Sequence, residues 1–286
     1  MRQRTLEKEV EIKGIGLHSG CLTKMLFKSA PQNSGIVFIR SDLPAAENRF
    51  PALYSGVADT RNCTCLANEY HHTVSTVEHI MAALYALGID NALIETDGQE
   101  LPIMDGSAHI IYEILKKCSS VEQEAPRRFL KVRRTVEFED DKGSYIKLSP
   151  ADKLKIKFTI DFPSRIVGHQ EFNATINEDL FAQEIAPART FCEKYQVEYL
   201  QSIGLIKGGS LENAVVLDGD TILNEGGFRV MDECVKHKVL DCIGDMYTSG
   251  YRLLAEIEAW HTGHFHNNEV LKKLFADTNN YEVIEG

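Results

Sequence analysis

One order of local patterns occurs twice along this chain, and it limits the fold more than any single motif does. Early segments such as "GCLTKMLFKS" and "GIVFIRSD" are short, β-rich and bounded by Gly, Pro and Asn, so they read as strands. In "STVEHIMAALYAL", Val77, Ile80, Met81, Leu84 and Leu87 recur at helical spacing until Gly88 stops them; "DNALIETDG" then reads as a strand and "GSAHIIYEILKKC" as a helix capped by Ser107. After residue 125 come strands again, a helix "DECVKHKVLDCIGDMYTSG", a strand "YRLLAEIEAW", a loop "HTGHFHNN" and a closing helix "NEVLKKLFA". Two copies of strands, helix, strand, loop and helix predict an α+β protein built by duplication, with a sheet and paired helices in each half and the helices packed between the two sheets.

The polar stretch "SSVEQEAPRR" marks the expected boundary, giving an N-terminal domain 1–124 and a C-terminal domain 125–286. The second domain begins with a hairpin in which "DDKG" turns between "LKVRRTVEFE" and "SYIKLSP". A segment at about 193–224 has no counterpart in the first half and reads as a helix followed by a two-stranded insertion. If the halves pack together, His79 and His237 lie on corresponding helices that face one another.

Composition removes several function classes. At 286 residues and 43% hydrophobic content the chain supplies a substantial core, and a formal net charge of -11 argues against wholesale binding to nucleic acid or anionic membrane. The longest nearly apolar run, "IMAALYALGI", is about half of the roughly 20 residues a membrane helix needs. "MRQRTLEKEVEIKG" has no apolar signal-peptide core, and seven scattered cysteines without a C-x-x-C pair suit reduced thiols in a cytoplasmic setting. Cys63-Thr64-Cys65, the one close pair, reads as structural rather than metal-binding. Gly14 and Gly16 in "GIGLHSG" precede a strand pattern and not a helix, so they mark a tight turn near His18 instead of a dinucleotide site.

Chemistry concentrates on the two facing helices. Ser75-Thr76-Val77-Glu78 matches the S-x-x-E capping box, which would fold Glu78 back on the helix end, yet it leaves the adjacent His79 unexplained. On the other helix His237 and Asp241 are i and i+4, hence on one face, with Asp245 one turn further. Two His and one Asp would leave an open position on zinc, and a carboxylate that is not a ligand, Glu78, could serve as general base. A local His–Asp pair on a polar stripe is the bland alternative. The acid could be His261, His264 or His266, between which the spacing does not choose.

With these residues the chain resembles the UDP-3-O-acyl-N-acetylglucosamine deacetylase family, the zinc amidases that commit bacteria to lipid A synthesis. The resemblance runs through "GIGLHSG", "TVEH", "GIDNALIE", "PIMDGSA", "ARTF", "GLIKGGSLENAVVLD", "HKVLDCIGD" and "GHFHNN", nearly the whole chain and in the family's order. It implies His79, His237 and Asp241 as ligands to one zinc ion, with ferrous iron as the alternative in the cell. It further implies Glu78 as base, His264 as cationic acid, Asp245 as its orienting partner and Thr190 as donor to the oxyanion. Phe191 would line the sugar pocket, Lys238 would meet the nucleotide diphosphate, and Val197, Leu200, Ile203 and Val216 would line the acyl passage. The implied substrate is a UDP-sugar lipid, handled by a cytoplasmic bacterial protein expected to be a monomer. Two departures, Glu193-Lys194 after "ARTFC" and "DFPSRIVGHQ" without the family's frequent His-Pro, bear on nucleotide and chain-length preference. The competing class, a binding protein that keeps the fold and a structural metal, would lack the base or fill the fourth position.

Overall fold

In each half, the strand that follows the long buried helix becomes the middle of a sheet. The computed structural model describes all 286 residues. One sheet runs Val10–Ile15, Leu22–Ser29, Ala92–Thr96, Ile36–Arg40, Arg49–Pro51, and Ala92–Thr96 is antiparallel to Leu22–Ser29 but parallel to Ile36–Arg40. The other contains Val136–Glu139, Tyr145–Pro150, Arg252–Trp260, Lys155–Asp161 and His169–Thr175, and Arg252–Trp260 is antiparallel to Tyr145–Pro150 but parallel to Lys155–Asp161. Strand order and direction match, so the duplication read from the sequence is a duplication of topology. Arg128–Val132 and Tyr281–Glu285 extend the second sheet.

Six helices complete the chain: α1 (Glu78–Ala86), α2 (His109–Lys117), α3 (Glu178–Leu180), α4 (Lys194–Ser202), α5 (Glu233–Tyr247) and α6 (His264–Phe275). Every residue of α1 is buried, as are nearly all of α5, and helices buried on all sides lie between layers. The α1 and α5 backbones approach closely because position 244 is glycine. A Cβ there would lie 2.8 Å from the Glu78 carbonyl carbon and closer still to its oxygen. Further along the same contact Tyr85 and Tyr247 meet edge to face at 5.3 Å. Gly88, at φ +67°, ends α1 as the sequence requires.

Three local expectations are corrected. The polar stretch is not a loop but a strand, Ser120–Pro126, paired antiparallel with Arg2–Leu6, and the division at 124/125 stays an expectation. Its charged side chains face solvent at a sheet edge, which polarity alone does not separate from a loop. The Ser75–Glu78 capping box does not form, because Ser75 belongs to strand Thr73–Ser75 and pairs with Cys65. His264 and His266, expected in a loop, lie in the first turn of α6; Gly263 before them offers no side-chain cap to mark the start.

The 193–224 segment is a helix followed by strands, as read. Phe191–Glu193 runs parallel to Val215–Asp218, which pairs antiparallel with Thr221–Ile222, and α4 packs over them. The two unusual residues here have structural uses: the Glu193 amide donates to Gln196 Oε1 at 2.9 Å and Lys194 pairs with Asp218 at 2.7 Å. The insertion is tied to the first half where the Lys207 and Gly208 amides donate to the His18 and Leu17 carbonyls at 3.2 and 3.0 Å, and its flanks where the Thr190 amide donates to the Gly106 carbonyl at 2.8 Å and Arg229 pairs with Asp105. Ser107 is not the N-cap of α2, a place taken by Ala108 without a side-chain cap; its hydroxyl accepts from the His109 amide at 3.1 Å in the turn just before the helix.

Candidate active site

The start of α1 is held by a residue fourteen positions upstream. The Thr64 carbonyl accepts from the Thr76 and Val77 amides at 3.1 and 3.4 Å, supplying the cap that Ser75 does not. Thr76 sits at φ +64°, an uncommon backbone for a β-branched residue, and this turn delivers Glu78 and His79 into a cavity between the halves. The Thr64 amide also donates to Glu78 Oε2 at 2.9 Å. Glu78 is therefore turned away from Ser75, and its Oε1 makes no hydrogen bond within the protein.

Across from it, α5 presents His237 and Asp241. One ligand atom from each of His79, His237 and Asp241 lies within 4.8 Å of the others, and Asp241 Oδ1 is 3.5 Å from Nε2 of both histidines. Tetrahedral ligands about 2.0–2.1 Å from a zinc-sized ion are separated by roughly 3.4 Å. Asp241 Oδ1 is buried without a hydrogen-bond partner, a costly state unless a cation shares the space. The donor set, two imidazole nitrogens and one carboxylate oxygen, fits a divalent transition metal with a position left open. His237 Nδ1 lies 3.1 Å from the Ala188 carbonyl, which fixes the proton there and leaves the Nε2 lone pair facing Asp241 and His79. Burial, with help from His79 and Lys238, pushes His237 down to about 3, so its ring is neutral. Burial opposes ionisation of Asp241, but His237, Lys238 and His79 hold its carboxyl well below the usual range.

The structure separates the three loop histidines. His261 Nε2 accepts from the Asp161 amide at 2.8 Å, and His266 Nε2 faces Asp140 at 3.1 Å. His264 alone reaches Asp245, with Nδ1 2.8 Å from Oδ2. Burial works against a charged ring at His264, but the Asp245 charge and hydrogen bond, with Asp241 and Glu78 nearby, lift it to about 9. Burial raises Glu78 above its ordinary value, in part countered by His264 and His79. A carboxyl with a raised pKa and an imidazole that favours its charged form thus flank the His79, His237 and Asp241 cluster. Asp245 receives two further donors that sequence reasoning missed, Thr64 Oγ1 at 2.6 Å and Asn267 Nδ2 at 2.8 Å. Neither had a local signal, for Thr64 lies 181 positions from Asp245.

The cavity, about 880 Å³, extends from these groups along the insertion. Thr190, Phe191, Lys238, Val197, Leu200 and Val216 line it, as does His18 from the tight turn. Ile203 does not: it follows the end of α4 and is 53% exposed, while Ile206, at φ +47°, turns inward and takes the wall position. Lys238 Nζ lies 3.3 Å from Asp241 Oδ2 and 5.9 Å from the Phe191 ring centroid. The C-x-C thiols stay outside the cluster; burial pushes both up, Cys65 to about 11, so they are protonated and inert at neutral pH.

Fold and site together define a duplicated α+β protein with a candidate divalent-metal centre in the cavity between its halves. A family model described as UDP-3-O-acyl N-acetylglycosamine deacetylase matches residues 3–276, and the chain belongs to that family. Among similar curated proteins, a UDP-3-O-acyl-N-acetylglucosamine deacetylase of Actinobacillus pleuropneumoniae serotype 3 is 44% identical over 99% of this chain and 93% of its own length. Proteins with the same name from Haemophilus ducreyi and Pasteurella multocida are 44% and 42% identical with the same coverage. The chain is accordingly an enzyme that hydrolyses an amide, a deacetylase. None of its helices is long and apolar enough to cross a membrane.

Proposed function

We propose that this chain removes the N-acetyl group of UDP-3-O-acyl-N-acetylglucosamine with zinc, releasing acetate and the free amine, as the committed step of lipid A synthesis in the bacterial cytoplasm. The observation that carries this reading is one convergence: the unbonded Oδ1 of Asp241 beside two imidazole nitrogens, with the unshared Oε1 of Glu78 on the same cavity. A zinc ion held by His79, His237 and Asp241 supplies Lewis acidity and lowers the pKa of water toward about 7.

The chain's own residues supply the proton traffic. Glu78, kept poorly solvated, takes a proton from the attacking water through Oε1. The Thr190 hydroxyl, on the cavity wall, donates to the acetamide oxygen as negative charge grows on it. His264, protonated and held at Nδ1 by Asp245, gives its Nε2 proton to the leaving nitrogen as the C–N bond breaks. Nitrogen departs as the amine and the acyl carbon as acetate.

Substrate recognition follows the cavity's chemistry. Lys238 supplies a cation for the diphosphate of an anionic substrate in a chain that is acidic overall. Phe191 offers an apolar ring to the sugar, and Val197, Leu200, Val216 and Ile206 line a passage for the acyl chain. The test is acetate release from UDP-3-O-acyl-N-acetylglucosamine by the purified protein, before and after chelation and with zinc restored. Activity lost with the metal and regained with zinc is expected; undiminished activity in metal-free protein would overturn the reading.

A further inference from the structure

Thr64 makes hydrogen-bond contacts to both ends of the proposed proton relay. Its amide donates to Glu78 Oε2 at 2.9 Å, its hydroxyl donates to Asp245 Oδ1 at 2.6 Å, and the same oxygen lies 3.2 Å from His264 Nδ1. The side chain is buried, so each contact is made in a low-dielectric setting where hydrogen-bond direction matters most. We infer that Thr64 is a positioning residue for the deacetylation, fixing the non-reacting oxygen of Glu78 through its backbone and the Asp245–His264 pair through its hydroxyl. The inference rests on the proposed roles of Glu78 and His264.

The geometry gives each contact a distinct effect. With Oε2 tied to the Thr64 amide, Glu78 has one oxygen left for a proton, and the carboxylate cannot rotate to offer the other. Asp245 accepts on both oxygens: Oδ1 from Thr64, Oδ2 from His264 and Asn267. Since the hydroxyl proton goes to Asp245, the Thr64 oxygen is an acceptor toward His264, which places a proton on Nδ1 and aims Nε2 at the cavity. A β-branched side chain has few accessible χ1 states, so the hydroxyl is held where the relay needs it. The turn carrying Thr64 also caps α1 through its carbonyl, coupling the base, the acid and the ligand His79 to one short segment.

Replacement of Thr64 by valine removes the hydroxyl alone, since the amide and carbonyl contacts are backbone. The measurement is kcat, KM and bound metal for Thr64→Val, Thr64→Ser and Thr64→Ala in the full chain, with Glu78→Gln assayed in parallel. Thr64→Val and Thr64→Ala are expected to lower kcat about tenfold to a hundredfold, with KM and metal content near those of the parent. Thr64→Ser should recover most of the turnover. Parental kcat in the valine and alanine variants would overturn the inference, as would a serine variant no faster than valine, or loss of metal in step with activity. If valine fails to fold, the serine and alanine variants decide it. An inactive Glu78→Gln beside a fully active Thr64→Val overturns the Thr64 assignment alone, whereas an active Glu78→Gln overturns the catalytic reading beneath it.

Discussion

Replacing Gly244 by alanine should damage the enzyme far more than it destabilises the protein. The added methyl would stand 2.8 Å from the Glu78 carbonyl carbon and nearer its oxygen, on the line where α5 crosses α1. Recovering ordinary separations of roughly 3.5 Å requires the helices to part by about 1 Å at this point. Overpacking of this kind costs roughly 1–3 kcal/mol, while alanine in a helix interior recovers about 1 kcal/mol relative to glycine. The net loss is thus about 1 kcal/mol, or about 2–4 °C in melting temperature for a chain of this size. The site feels the same displacement differently, because α5 carries His237 and Asp241 while α1 carries His79 and Glu78. A misplacement of about 1 Å costs on the order of 100-fold in rate. Thermal melting, metal content and kcat measured together test this, with Gly56→Ala as a control whose added Cβ would meet its nearest neighbour at an ordinary 3.5 Å. A Gly244→Ala protein that melts higher and keeps full metal and turnover would refute the close crossing as the frame of the site.

Other consequences follow from single residues. His264 is lifted from 6.5 to about 9, where burial is outweighed by Asp245, so the folded state binds this proton more tightly than the unfolded one. Its contribution to stability is complete below about pH 6.5 and lost as pH rises through about 9; metal-free protein should therefore melt lower across that window, and His264→Gln should flatten the decline. At position 76 the left-handed backbone favours glycine, so Thr76→Gly should be more stable than Thr76→Ala by about 1 kcal/mol in chemical denaturation, and the reverse order would show that the turn is not kept. Val216→Trp should obstruct the insertion side of the cavity, raising KM for a long-acyl substrate roughly tenfold or more while metal content stays constant; equal KM would place the acyl chain elsewhere.

Periodicity made the architecture legible, and the i, i+4 spacing of His237 and Asp241 supplied half of the candidate metal site. The other half depended on recognising that two similar halves bring α1 against α5. What stayed hidden involved contacts distant in sequence or unusual backbone. Thr64 and Asn267 reach Asp245 by tertiary approach alone, and the Ala188 carbonyl fixes His237 from 49 positions away. The S-x-x-E motif misled because strand pairing removed Ser75 from the helix end and a remote carbonyl took over its task. Ile203 was placed on the cavity wall by apolarity, but the left-handed turn at Ile206 decides which side chain points inward. Spacing does not choose among His261, His264 and His266; the resemblance points to His264, and in the structure it is the one that meets Asp245.

The most direct test of the account is bound metal and turnover measured on the same preparations of Glu78→Ala and His237→Ala. If Glu78 is a base beside the candidate metal centre and His237 a ligand within it, Glu78→Ala keeps one metal ion per chain and loses most turnover, while His237→Ala loses both together. A Glu78→Ala protein with full activity, or a His237→Ala protein that still binds metal stoichiometrically and turns over, would contradict the assignment.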